Sequence, residues 1–192
     1  MVVKSFREHV GIVPSTATTK DSILVIIDAQ NEYAEGLLAV ANLKTTRSVI
    51  GELLQRYRAA SGAIVHVRHI APAGAPVFTP DTPLAEIFSE LKPQTGEALV
   101  EKDFPGAFAE TNLQELVEKS GKKKIVLVGY MAHVCVSTTA REAEQRGYDV
   151  LLVEDAIGDR DIPGATAEEV TKMTLLELSD VFATVVKSKD IQ

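Results

Sequence analysis

Short apolar runs alternate with segments of helical period along this whole chain, and that alternation leaves few folds open. Residues 23–28 (ILVIID), 63–69 (AIVHVRH), 124–129 (KIVLVG), 149–153 (DVLLV) and 181–186 (VFATVV) are runs of strand length, with a weaker one at 98–101. Between the first two, Val40, Leu43, Val49, Ile50, Leu53, Leu54 and Tyr57 recur as one buried stripe, which predicts a helix over 40–60. Helices are also predicted over 84–91, Thr111–Lys119, 133–146 and 165–179. Thr111 or Asn112 caps the second of these, Gly147 stops the third, and Thr166 caps the last. Residues 71–83 are rich in Pro, Ala and Gly and read as a loop, a lid or a rim.

A strand that is apolar at every position must be covered on both faces. Repeated strand–helix alternation covers it with helices and makes the strands parallel. The expectation is an α/β fold: a three-layer, doubly wound, Rossmann-like sheet of six parallel strands in the order 3-2-1-4-5-6. No repeat or linker interrupts residues 1–192, which predicts a single domain.

Composition narrows the function classes. The formal net charge is −7, and the only basic run is Lys122, Lys123 and Lys124, a solvated loop tip. No basic face is offered to a nucleic acid, and no apolar run approaches the ~20 residues of a membrane span. The start, MVVKSFREHVGIV, is too broken by charge for a signal peptide. A single cysteine, Cys135, cannot form an internal disulfide. The expectations are a cytoplasmic protein, a small-molecule substrate, and neither nucleic-acid nor membrane partners.

In an open parallel sheet, ligands bind at the carboxyl ends of the strands. Asp28 ends strand one, His69 ends strand two, Lys102 and Asp103 follow strand three, and Cys135 follows strand four. Four strand ends therefore bring chemically capable residues to one edge. A thiol there becomes a nucleophile as thiolate, and a nearby cation or a helix N-terminus lowers its pKa. Lys102 supplies the cation, the helix starting near His133 the dipole, and Asp28 a proton acceptor. Backbone N–H groups in the turn before Cys135 are placed to hold an oxyanion.

Three motifs, IIDAQNEY (Ile26–Tyr33), EKDFPGAF (Glu101–Phe108) and GYMAHVCVSTTAR (Gly129–Arg141), resemble those of the isochorismatase-like cysteine hydrolases. That superfamily includes nicotinamidases, N-carbamoylsarcosine amidases, and ureidoacrylate and biuret hydrolases, and the resemblance covers roughly residues 20–187. It implies Asp28 as base, Lys102 as cation and Cys135 as nucleophile. It also implies a cis peptide between Met131 and Ala132, aiming the amides of Ala132 and Cys135 into an oxyanion hole. Homo-oligomers, dimers or tetramers, are usual among its members.

Candidate substrate contacts are Gln30, Tyr33, His69, Phe104, Phe108, Tyr130 and His133. Several have a plain structural alternative: Gln30 as a loop clamp, the four Tyr and Phe residues as core, His133 as a helix-start residue. Arg68 reads as a surface ion pair or a partner for a substrate carboxylate. The metal-binding nicotinamidases carry Asp-x-His after strand two; here Val67 replaces the Asp, and His66 and His69 point to opposite faces. No metal and no cofactor are expected. True isochorismatases in the family have Gly in place of the cysteine, so Cys135 favours hydrolysis of a C–N bond in a small amide, carbamoyl or ureido compound. The alternatives are an isochorismatase-type vinyl ether hydrolase and a non-catalytic, redox-sensing thiol protein on the same fold. A dinucleotide-binding oxidoreductase is set aside, because DAQNEYAEG after strand one contains no glycine-rich phosphate loop.

Overall fold

The computed structural model describes residues 3–192; Met1 and Val2, the start of the expected domain and of the leader reading, lie outside them. The strands are β1 (Ser22–Ile27), β2 (Ala63–His69), β3 (Ala98–Lys102), β4 (Lys124–Gly129), β5 (Asp149–Ile157) and β6 (Thr184–Val186). They form one sheet in the order β3-β2-β1-β4-β5-β6, with every pair parallel, as the alternation predicted. The helices are α1 (Phe6–His9), α2 (Glu32–Glu35), α3 (Leu43–Ala59), α4 (Leu113–Ser120), α5 (Ser137–Gln145) and α6 (Ala167–Val181).

β1 shows why both faces must be covered. All six of its residues are buried. Ile23, Val25 and Ile27 face one apolar core with α4, α5 and α6, through Leu113, Val117, Ala140, Leu175 and Leu178. Leu24 and Ile26 face a second core with α3, through Ile50, Leu53, Leu54 and Tyr57. Each such side chain contributes roughly 1.5–3 kcal/mol by leaving water, so a slip of one residue would exchange two complete sets of contacts.

Four boundaries differ from the sequence reading. The helix expected over 84–91 is two short 3-10 turns, Pro83–Ala85 and Ser89–Leu91. Between these turns the chain pairs with the loop after β1: the Phe88 N–H donates to Ala29 O, and the Glu86 carbonyl accepts from the Asn31 N–H. The helix expected from 133 is split into a π-helical turn, Ala132–Val136, followed by α5. β5 runs four residues beyond the expected 153, and α6 reaches Val181, which shortens the last strand to Thr184–Val186. Thr166 caps α6 as expected, in a reciprocal box with Glu169. Asn112 occupies the cap position of α4 without a side-chain bond, and the Thr111 hydroxyl accepts the Leu113 N–H instead.

Candidate active site

The strand order reverses between β1 and β4, and the crevice at the carboxyl end of that pair is where an open parallel sheet holds ligands. Asp28 leaves β1 and Cys135 lies in the turn after β4, so the two flank this crevice. Lys102 closes β3 in register with His69 of β2. Its side chain reaches back across β2, and Nζ comes to 2.8 Å from Asp28 Oδ2 and 3.4 Å from Cys135 Sγ. The three expected residues thus converge. All are buried, Cys135 the least with 6% exposure.

The local backbone is unusual at each anchor. Asp28 adopts φ 47°, a left-handed conformation rare for a residue with a Cβ. Its N–H donates to Val67 O and its carbonyl accepts from Gln30 N–H, which turns the carboxylate out of the strand. Neither carboxylate oxygen has a hydrogen bond of good geometry, so the 2.8 Å approach of Lys102 is a contact of charges. Both oxygens remain available to take up a proton. Gly129 ends β4 at φ 115°, where a Cβ would overlap the Ile27 carbonyl oxygen. Only glycine lets the turn that carries Cys135 leave β4 so close to β1.

The electrostatics correct one expectation. The Cys135 thiol is pushed well above its ordinary pKa, first by burial and then by the Asp28 charge; Lys102 opposes them without prevailing. The resting group is therefore a thiol beside a carboxylate. Cys135 sits in the π-helical turn, which runs on into α5 through the helical backbone of Val136, so it stands in the first turn of one continuous helical segment, as expected. Burial works against the charge of Lys102, but Asp28, helped by Cys135, more than offsets it and holds the ammonium pKa above its usual value.

Two backbone expectations are also corrected. The cis peptide joins Tyr130 to Met131, one bond before the expected Met131–Ala132. No side-chain pattern marks which bond of such a turn is cis. The Ala132 N–H donates to Gly158 O at 3.0 Å, docking the turn on the end of β5. It is not a free oxyanion donor in this arrangement, and the Cys135 amide is left of the expected pair.

The substrate candidates separate by their surroundings. Tyr33 and His69 stand beside Asp28: the Tyr33 hydroxyl is held protonated by burial and then by the charge of Asp28. Burial, reinforced by Lys102, lowers the His69 pKa, so its imidazole is neutral. Phe104 is partly exposed at the rim and its carbonyl accepts from Lys102 Nζ at 3.2 Å. Tyr130 and Phe108 are core: Tyr130 bonds the Thr46 hydroxyl at 2.8 Å, and Phe108 stacks on Tyr148. Gln30 is a clamp, donating to the carbonyls of His69 and Ala85 and accepting from the His69 N–H. His133 is half-buried, its Nδ1 2.7 Å from Asp159 Oδ2.

His66 and His69 part company as expected. His66 Nε2 lies 2.8 Å from Glu97 Oε2, while His69 packs on Phe78. Among the described residues no three His, Cys, Asp or Glu side chains gather as a metal group. Arg68 pairs with Glu101 at the surface. Sequence reasoning missed Glu32, Phe78 and Asp159, all buried. Glu32 stands inside the IIDAQNEY motif; Phe78 and Asp159 lie in loops with no local signal.

The isochorismatase domain model matches residues 22–190. This chain belongs to the isochorismatase family. It is 64% identical over 98% of its length to a protein of Verticillium dahliae named a secreted isochorismatase effector, all of which is covered. The crystal structure of an isochorismatase from Pseudomonas putida KT2440 superposes with a TM-score of 0.95 at 32% identity, covering 100% of both chains. An N-carbamoylsarcosine amidase from Thermoplasma acidophilum superposes with a TM-score of 0.78 at 26% identity, over 90% of this chain and 99% of that one. The isochorismatase family is one of hydrolases, some acting on amides.

Proposed function

We propose that this isochorismatase-family hydrolase cleaves a C–N bond of a small amide, carbamoyl or ureido compound through a thioester on Cys135. The observation that carries this reading is the buried contact of one ammonium with both a carboxylate and a thiol: Lys102 with Asp28 and Cys135.

In the proposed course, the Cys135 proton passes to Asp28 as sulfur attacks the carbonyl carbon. The negative charge thus passes from the Asp28 carboxylate to the oxygen of the tetrahedral intermediate, and the total charge of substrate, Asp28, Lys102 and Cys135 is unchanged. The tetrahedral intermediate collapses, the C–N bond breaks, and the amine leaves with the proton held by Asp28. Water attacks the thioester, Asp28 accepts its proton, and the acid departs as that proton returns to sulfur. The high resting pKa of the thiol makes an adjacent base a requirement of this scheme. A thiol sensor has no use for such a base.

A second reading is favoured by the name of the 64% identical Verticillium protein: hydrolysis of the vinyl ether of isochorismate, by a protein acting after export. Protonation of a vinyl ether by the Asp28 carboxyl needs no thiol.

The test is a panel of amides, carbamoyl and ureido compounds assayed for ammonia, beside isochorismate assayed for pyruvate. The C–N reading expects ammonia release that falls by at least about a thousandfold in Cys135→Ala. Pyruvate release that survives Cys135→Ala and is lost in Asp28→Asn would replace it with the second reading. For the compartment, a free thiol without a disulfide partner suits the reducing interior first expected. Fractionation of the native source tests this against the secreted state of the Verticillium relative.

A further inference from the structure

Phe78 lies in the Pro-rich loop after β2, and its backbone is left-handed, with φ 48°. A bulky residue rarely stays in that conformation unless its surroundings impose it. Its N–H donates to Glu32 Oε2 at 3.0 Å, and Glu32 Oε1 accepts the Leu38 N–H at 3.1 Å. Glu32 is fully buried, and among the described residues it has no ion-pair partner. A carboxylate in that position is maintained only by what it holds. What it holds is the loop carrying Phe78.

The Phe78 ring itself is buried and packs edge-on to Tyr33, with centroids 5.3 Å apart, and tilted on His69 at 4.8 Å. Tyr33 and His69 are the two rings whose ionisation responds to the charge of Asp28, and His69 responds also to Lys102. His69 Nδ1 and both Asp28 oxygens are buried without a hydrogen-bond partner. Three rings thus pack together at the end of β2, near a buried His69 Nδ1 and Asp28 Oδ1 that have no partner. Edges and faces of rings favour a flat guest over a puckered one.

We propose that Phe78 is a specificity-determining residue of the thiol pocket, positioned by Glu32, and that it selects compounds with a flat, unsaturated or aromatic group next to the reacting carbon. The class of substrate named here rests on the cysteine-hydrolase reading; the selection of shape at Cys135 rests on the geometry alone.

The experiment uses N-phenylmaleimide and N-cyclohexylmaleimide, which share a reacting group and differ in planarity. Cys135 is the only cysteine, so one mass increment on the intact protein reports its alkylation. The wild-type protein is expected to react faster with the phenyl reagent, by about tenfold after correction for the reagents' rates with free cysteine. Phe78→Ala and Phe78→Leu should bring that ratio close to unity, and Phe78→Tyr should keep it. Glu32→Gln should reduce the ratio, whereas a loss of general stability would change both rates together. Equal corrected rates in the wild type, or a ratio unmoved in Phe78→Ala or in Phe78→Leu should the alanine variant fail to fold, would overturn the proposal. Because no turnover is read, this outcome is separate from the fate of ammonia release in Cys135→Ala.

Discussion

Lys102 Nζ stands 2.8 Å from Asp28 Oδ2, and neither side chain has any exposure to solvent. The two come from strands that are not neighbours, since β2 lies between them. Removing one member leaves a bare charge in a dry site. We expect Lys102→Met to destabilise the fold by about 3–5 kcal/mol in denaturant titrations. Asp28→Asn in the same chain should recover much of that loss without recovering activity. A single Lys102→Met variant as stable as the wild type would show that the carboxylate is not charged in the folded protein.

The free enzyme should not behave as one with a preformed thiolate. Burial and the Asp28 charge both push the Cys135 thiol up, so the thiolate fraction is small at neutral pH and grows as pH rises. Alkylation by iodoacetamide is expected to accelerate up to about pH 10 without a plateau. In Asp28→Asn one of the raising influences is gone, and the profile should move to lower pH. A plateau below neutrality in the wild type would contradict both the direction and its cause.

Acid should weaken the protein through His66 and Glu97. Bonds from Arg58, the Gln94 N–H and His66 overcome the burial of Glu97 and lower its pKa from 4.5 to about 2. A depressed carboxylate contributes stability above its unfolded pKa and loses it as pH falls through the folded one. That contribution is therefore present above pH 4.5 and is lost on the way down to about pH 2. Burial lowers the His66 pKa, so the folded protein also resists protonating this ring below its ordinary value of 6.5. We expect Glu97→Gln to flatten the stability profile between pH 4.5 and about 2, measured by thermal unfolding. An unchanged slope there would remove Glu97 from the account.

Gly129 ties the sheet to the turn that carries Cys135. At φ 115°, with the Ile27 carbonyl oxygen where a Cβ would go, Gly129→Ala has to move the backbone between β1 and β4. A loss of at least about 2 kcal/mol in stability is expected. Activity should fall further than stability, because the displaced segment carries Cys135. A fully active, fully stable alanine variant would show that the turn tolerates another path.

The strand runs ILVIID and KIVLVG were legible as parallel strands because both faces of β1 and β4 are buried, and that requirement leaves only apolar residues along their interiors, Ile23–Ile27 and Ile125–Val128. The strand order followed from the handedness of the crossovers. Asp28, Lys102 and Cys135 were legible because chemistry in such a sheet collects at one edge. Chain sequence by itself determined the fold class, the edge and these three residues. Tertiary structure alone decided how they stand: the cis bond at Tyr130–Met131, the occupied Ala132 amide, and the thiol held neutral by burial. It also brought Phe78 and Glu32, 46 residues apart, into one hydrogen bond beside the pocket. Periodicity reports which face of an element is dry. Charge balance, backbone isomer and loop closure depend on what lies across the gap, and that is set only when the chain has packed.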